Sequence, residues 1–343
     1  MKTITKIVCA AVVAISASSA SLAQDKPNGG DTQIRVQEYP GSILGIPMWV
    51  AIEKGFCKSY NIRCSTVGLA SGPLGLQTLA AGSIEATFAS NEVNLMAASR
   101  GNEIQLVVGH SPNNYYTLNV SSDYPLPNRS KGYPESMKDL KGAKVGVTAR
   151  GSGIEIVTRA LLQGAGMKGD DVTYVAVGAP ATSYPALLAK QIDASVSFEP
   201  FNTLCLAQKT CVELVSPGKG EGPANMLAMN GGFASFAMRK NFVQSNPKAA
   251  DAFIAAVRDA ITWVKDPKNY DEVVAITKKK MSMGDIPDAD KVLALLVKGQ
   301  TTSLGYTIER KAVDATSDFL MQNKLSEKPV SSASVVYEKA PKP

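Results

Sequence analysis

The chain has 343 residues, is 45% hydrophobic and carries a formal charge of +6. That length and apolar content exclude a disordered chain and supply core for one large or two medium domains. The basic excess is scattered apart from Lys278-Lys279-Lys280, most simply a solvated helix face, and aromatic residues make up only 6% of the chain, so nucleic-acid binding is not expected.

At the N-terminus Lys2 and Lys6 precede an apolar stretch from Ile7 to Ala17, and Ser21-Leu22-Ala23 puts small residues where a signal peptidase reads. Residues 1–23 read as a secretory signal peptide, giving a soluble periplasmic protein that begins near Gln24 with 34 basic and 30 acidic side chains. The apolar run is too short to cross a bilayer. Cys9 falls inside this leader without the small-residue setting of a lipid-anchored cysteine. Four cysteines remain: Cys57 and Cys64 flank KSYNIR, and Cys205 and Cys211 flank LAQKT. Two close pairs in an exported chain predict two local disulfides. Zinc would want closer cysteine pairs or histidines, and the chain has one histidine, His110.

Residues 24–32 are polar and glycine-rich and lead to a strand, Ile34 to Tyr39, ended by Pro40-Gly41. A helix from Ile46 to Lys54 and a strand from Ile62 to Val67 follow. Ala70-Ser71-Gly72-Pro73 is a helix start with serine and proline in favoured places, opening a helix to Ala81. Strand Ile84 to Phe88, the turn Ser90-Asn91, helix Val93 to Ser99 and strand Ile104 to Val108 complete a βαβα series, the pattern of a parallel sheet with helices on its faces. Asn113 to Val120 is extended and precedes irregular chain to Ser136, a crossover to a second unit.

Met137 to Gly153 then holds a strand (Lys144 to Thr148), the break Arg150-Gly151-Ser152-Gly153 and the start of a helix, Ile154 to Gln163. Amides in the first turn of a helix lack internal partners, so this turn reads either as an anion cradle or as an ordinary β-α turn. Gly146 to Ser152 spaces like a nucleotide loop, but Ser152 stands where that loop needs lysine. Strand Val172 to Val177, helix Ser183 to Lys190 and strand Ala194 to Ser197 repeat the rhythm of the first half. Even the turns correspond, LAAGSIEA (79–86) with LLAKQIDA (187–194). Leu227 to Met238 is extended and returns the chain to the first lobe. Asn246 caps a helix with Pro247 at its first position and apolar residues at helical spacing from Ala250 to Val264. Helices from Asp288 to Lys298 and from Glu309 to Gln322 follow, and Lys324 to Pro343 is a polar tail, expected to be loose. The boundaries are 33–115 for the first part of lobe 1, 116–226 for lobe 2 and 227–323 for the return to lobe 1.

Ser71-Gly72, Ser90-Asn91 and Gly151-Ser152-Gly153 all stand at strand ends, where ligands sit in open α/β sheets. No catalytic set accompanies them: the serines have no motif histidine, and Glu199 has no paired carboxylate. His110 reads as a polar contact at a strand end. No cofactor or metal is implied.

The segments PGSILGIPMWVAIEKGFC, LQTLAAGSIEATFAS, DLKGAKVGVTARGSG, LLAKQIDASVSFEP and RKNFVQSNPKAADAFIAAVRDAITWV, from about Ile34 to Val264, resemble the periplasmic substrate-binding proteins of the nitrate, taurine and alkanesulfonate ABC importers. The resemblance implies an α/β clam-shell of the type II periplasmic-binding class, with two lobes of mostly parallel sheets flanked by helices. It implies a monomer that closes on a small, usually anionic solute and delivers it to a membrane permease. It carries ligand contacts onto Tyr39, Pro40, Ser71, Gly72, Asn91, Ser152 with Gly151 and Gly153, and Glu199 of the Glu199-Pro200 turn. Arg150 reads either as a bidentate partner for a carboxylate or sulfonate or as a solvent-facing arginine, and Tyr115-Tyr116 either walls the ligand or packs in the hinge. Two alternatives stay open: an enzyme similar to the thiamine-pyrimidine synthases, disfavoured by the leader and the single histidine, and a binding protein feeding a sensor.

Overall fold

Ten strands arrange themselves as two sheets of five in the computed structural model, which describes residues 28–343. The expected signal peptide and Cys9 lie outside the described residues. The strands are β1 (Thr32–Glu38), β2 (Ile62–Gly68), β3 (Ala86–Ser90), β4 (Ile104–Ser111), β5 (Thr117–Ser121), β6 (Lys144–Val147), β7 (Thr173–Ala176), β8 (Ala194–Ser197), β9 (Cys211–Val215) and β10 (Ala234–Arg239). The first sheet runs β2-β1-β3-β10-β4 and the second β7-β6-β8-β5-β9. Within each, β1 pairs in parallel with β2 and β3, and β6 with β7 and β8, through helical crossovers. One strand in each sheet opposes the rest: β5, which follows the first crossing, and β10, which follows the return. This is the type II clam-shell, with strand ends of both lobes turned toward a shared cleft.

The turns that echo one another in sequence do the same mechanical work. Glu85 accepts the Arg35 backbone N–H at 2.8 Å, and Asp193 accepts that of Lys144 at 2.8 Å. Each acid pins β1 at its middle or β6 at its first residue to the turn leading into the neighbouring parallel strand, which sets register where the ladder itself is short. The two crossings lie side by side: Gly231 and Phe233 donate their amides to Pro112 O, and Asn114 donates to Asn230 Oδ1.

The helices bury the sheet faces. Helix Pro247–Lys265 places Phe253, Val257, Ile261 and Val264 in the first lobe's core, and helix Gly153–Gly164 buries Ile154, Ile156, Val157 and Leu161 in the second. Fully burying each such side chain is worth about 1.5–3 kcal/mol. Cys57 pairs with Cys64 and Cys205 with Cys211, with Cα atoms 6.0 and 5.3 Å apart, inside the span a disulfide bridges.

The structure refines several readings of the sequence and overturns that of the tail. Asn246 holds the N-cap position before Pro247 as read, its carbonyl accepting from Ala249 N and Ala250 N, while its side-chain amide turns back to donate to Phe242 O of the preceding helix Lys240–Ser245. Three further elements stand between and beyond the anticipated ones: helix Phe201–Ala207, strand β9 and helix Tyr270–Lys280. The lysine run is the last turn of that second helix, where Lys278 meets Asp290 at 2.6 Å and Lys280 meets Glu53 at 3.1 Å, charges that also suit a helix C-terminus. The tail is not loose. Val335, Val336 and Tyr337 are buried, Val336 bridges Leu106 of the edge strand β4, and Tyr337 donates its hydroxyl to Asp251 at 3.1 Å. An edge strand offers unpaired backbone groups, and the tail satisfies them.

Candidate functional site

The lobes meet where β1, β3 and β8 end. Tyr39, just past β1, stacks edge-on against Phe88 of β3 (centroids 5.7 Å apart) and against Phe198, just past β8 in the other lobe (5.3 Å). Tyr115 and Tyr116 come from the first crossing and contact both Phe198 and Phe233 of the return crossing, at 5.3 to 6.4 Å. Six aromatic rings from five chain segments thus line the boundary between the lobes. Phenol ionisation is pushed well up for Tyr115 and Tyr116 and up for Tyr39, chiefly by burial and then by neighbouring charge and phenols, so all three stay neutral.

Into this aromatic boundary helix Asn91–Ser99 sends Glu92, which has no exposed surface. Neither carboxylate oxygen has a hydrogen-bond partner. Burial raises its pKa to about 7, opposed by its own backbone amide and by the Ser90 hydroxyl. Directly across stands Gly153, the first residue of helix Gly153–Gly164. A Cβ there would collide with Ser90 Oγ and come within 2.6 Å of Glu92 Oε1 and 2.9 Å of the Tyr116 hydroxyl. Glycine is what lets the second lobe approach this closely. A second tie closes the boundary, Ser42 Oγ donating to Glu199 O at 3.1 Å.

The residues picked from sequence divide. Tyr39 and Gly72 are brought together, since a Cβ at Gly72 would lie 3.4 Å from the Tyr39 hydroxyl, which donates to Phe88 O. Ser71 caps helix Gly72–Ala80 by accepting from Leu74 N at 3.3 Å, and Gln37 holds that turn by donating to Ser71 O at 3.0 Å. Pro40, half-buried, flanks the same turn near Gly68. Ser152 caps its helix by accepting from Glu155 N at 3.5 Å, with Gly153 next to it at the boundary.

Three side chains point to other work. Asn91 is consumed within the first lobe: its amide donates to Gly232 O at 2.7 Å and Ser235 Oγ at 3.1 Å, tying β3's end to the return strand. Arg150 is 59% exposed, with Nη2 3.1 Å from Glu155 Oε1 and its guanidinium 5.1 Å over the Tyr174 ring. Glu199 turns its carboxylate onto Thr203, accepting from N at 3.0 Å and from Oγ1 at 2.8 Å, so only its carbonyl faces the first lobe. The anion cradle at residues 150–153 is also partly filled from within. Glu155 accepts from Gly151 N at 2.8 Å, so the helix start holds a carboxylate of its own chain.

His110 is a structural residue. It is fully buried against Phe88, donates from Nε2 to Leu44 O at 2.9 Å and meets Ser111 Oγ through Nδ1 at 2.8 Å, and burial lowers its pKa to about 4.

Residues 45–278 match the NMT1-like family. The chain belongs to that family. A binding protein of Brucella abortus strain 2308 is 30% identical over 239 residues, covering 67% of this chain and 66% of its own length, so the chain spans just under two thirds of that relative. Among solved structures, the alkanesulfonate-binding protein SsuA of Xanthomonas axonopodis pv. citri, bound to MOPS, matches with a TM-score of 0.68 at 18% identity, over 89% of this chain and 98% of its own. The desulfurization enzyme DszB matches with a TM-score of 0.60 at 16% identity, over 90% and 97%. At these identities the structures share the fold, and that fold serves both capture and catalysis.

Glu92, Phe88, Phe198 and Phe233 are the residues of this boundary that sequence reasoning missed. Glu92 carried a signal, an acid at the second position of a helix at a strand end. Phe198 carried none beyond following a short strand.

Proposed function

We propose that the protein is the solute-binding component of an ABC importer, capturing a small organic anion in the periplasm between its two lobes and handing it to a membrane permease. The observation that carries the reading is the boundary itself: buried polar groups and aromatic rings from both lobes converge at strand ends, joined only by two adjacent crossings. Such a pair of lobes parts and closes by rotation about the crossings, and a ligand held by both stabilises the closed form. Membership in the NMT1-like family and the fold shared with an alkanesulfonate-binding protein support it. The anionic group fits the start of helix Gly72–Ala80, where Ser71 and Gly72 lie beside Tyr39 and no acid of the chain intervenes in the first turn.

Capture is favoured over catalysis by His110, the single histidine, which is held by Leu44 and Ser111 and stays neutral, away from any serine of the boundary turns. The test is a thermal-shift screen of ligand-stripped protein against sulfonates, carboxylates, nitrate and sulfate. The reading expects one class of organic anion to raise Tm in a saturable way, and stabilisation by none of them would refute it.

A further inference from the structure

The carboxylate of Glu92 has no use in the fold. Neither oxygen makes a well-formed hydrogen bond, its own backbone amide and the Ser90 hydroxyl being the donors nearby, and it pairs with no base. A buried ion without partners is costly and is ordinarily paired or removed. The groups facing it are hydroxyls: Ser90 on its own turn, Tyr116 from the crossing and Tyr39 past β1. Two of those protons are committed, Tyr39 to Phe88 O and Tyr116 to Ser90 Oγ at 3.3 Å. Across the boundary comes Gly153, which offers no side chain at all.

We propose that Glu92 is a ligand-binding residue that pairs with a protonated amine on the solute, so that the captured anion is a zwitterion of the amino-acid or aminosulfonate kind. This rests on the solute-capture reading above. Two unfilled carboxylate oxygens call for donors, and an ammonium brings three together with the opposite charge. The rings of Tyr39, Tyr115, Tyr116 and Phe198 form the kind of wall that attracts a cation and not an anion. A metal ion is a poorer occupant, because no group of three or more His, Cys, Asp or Glu side chains that could hold one occurs among the described residues. The solute's acid end then belongs at Ser71-Gly72, on the other side of Tyr39, and a ligand reaches Glu92 only when the lobes part at Gly153.

The test is isothermal titration of wild-type protein and Glu92→Gln with matched pairs: taurine and ethanesulfonate, β-alanine and propionate, 4-aminobutyrate and butyrate, and 4-(aminomethyl)benzoate and 4-methylbenzoate. The expected result is that the tightest binder carries the amine, that its amine-free partner binds at least tenfold more weakly, and that Glu92→Gln loses about ten- to hundredfold for the amine member alone. Preference for an amine-free member, or an amine member bound equally by Glu92→Gln, would overturn the inference and leave solute capture standing. No binding by any pair or by the anions of the thermal-shift screen would overturn both. The Gln variant keeps the shape of the side chain, and a Glu92→Asp variant, which retains the charge on a shorter arm, should recover part of the amine preference that Gln abolishes.

Discussion

Arg150 and Glu155 pair at 3.1 Å at the foot of helix Gly153–Gly164, with the Arg150 guanidinium also lying over the Tyr174 ring. Glu155, only 7% exposed, also accepts from Gly151 N and Arg159 Nε, so it closes the loop through three partners and occupies the Arg150 guanidinium. Arg150→Ala should therefore leave the affinity for a bound solute within about twofold. The exposed pair is worth at most about 1 kcal/mol, so the melting temperature should hardly move. Titration calorimetry of this variant with whichever anion the thermal-shift screen selects checks both statements, and a tenfold loss would put Arg150 back in the cleft.

Ser152 acts on folding as a cap. Its hydroxyl accepts from Glu155 N at the start of a twelve-residue helix. Ser152→Ala should cost about 0.5–2 kcal/mol, read as a lower urea midpoint at unchanged slope in ligand-free protein. A stability equal to wild type would mean that the cap is idle.

Glu92 should make stability depend on pH with a definite sign. Its folded pKa of about 7 lies above the ordinary carboxylate value of 4.5, so the native state holds this proton more tightly than the unfolded chain. Below pH 4.5 both states are protonated and Glu92 costs nothing. As pH rises toward 7 and beyond, the unfolded chain gains from ionising and the closed form does not, a penalty of about 3 kcal/mol. Glu92→Gln should accordingly become more stable than wild type as pH is raised from 5 to 8 in the absence of ligand. Denaturation curves at four pH values test it, and a difference that stays flat or reverses would show that Glu92 already has a partner.

Each disulfide closes a loop short enough that the chain-entropy account gives about 2–3 kcal/mol. Cys57 to Cys64 spans seven residues of separation and Cys205 to Cys211 six. Peptide mass mapping of protein from the periplasm should recover both crosslinks, and Cys57→Ala with Cys64→Ala should lower the urea midpoint by the corresponding amount. Four free thiols in the exported protein would remove the claim.

What the sequence made legible follows from local physics. Alternation and glycine breaks located β1, β6 and β8, and Ser71-Gly72-Pro73 announced its helix, because propensity and packing agree at those places. The repeated turns 79–86 and 187–194 even encode a contact, the acid that pins β1 or β6. What the sequence left open or missed is tertiary. Asn246 and Arg150 have several partners available, and only packing decides among them; β9 is short and its neighbour in the sheet lies some ninety residues earlier. The tail is polar in composition, yet Val335, Val336 and Tyr337 find an edge strand to cover. The site was half visible for the same reason: serine and glycine turns mark strand ends, whereas the pairing of Glu92 with Gly153 exists only once two lobes meet.

The close approach at Gly153 offers the most direct measurement of whether the lobes work by closing on a solute. With ligand-stripped wild-type protein, small-angle scattering should show a smaller radius of gyration when a saturating binder from the screen is added. Gly153→Ala, whose added Cβ would fall 2.6 Å from Glu92 Oε1, should keep its fold by circular dichroism yet fail to contract and bind more weakly. Identical scattering with and without saturating ligand in the wild type, or full contraction and affinity in Gly153→Ala, would contradict the account.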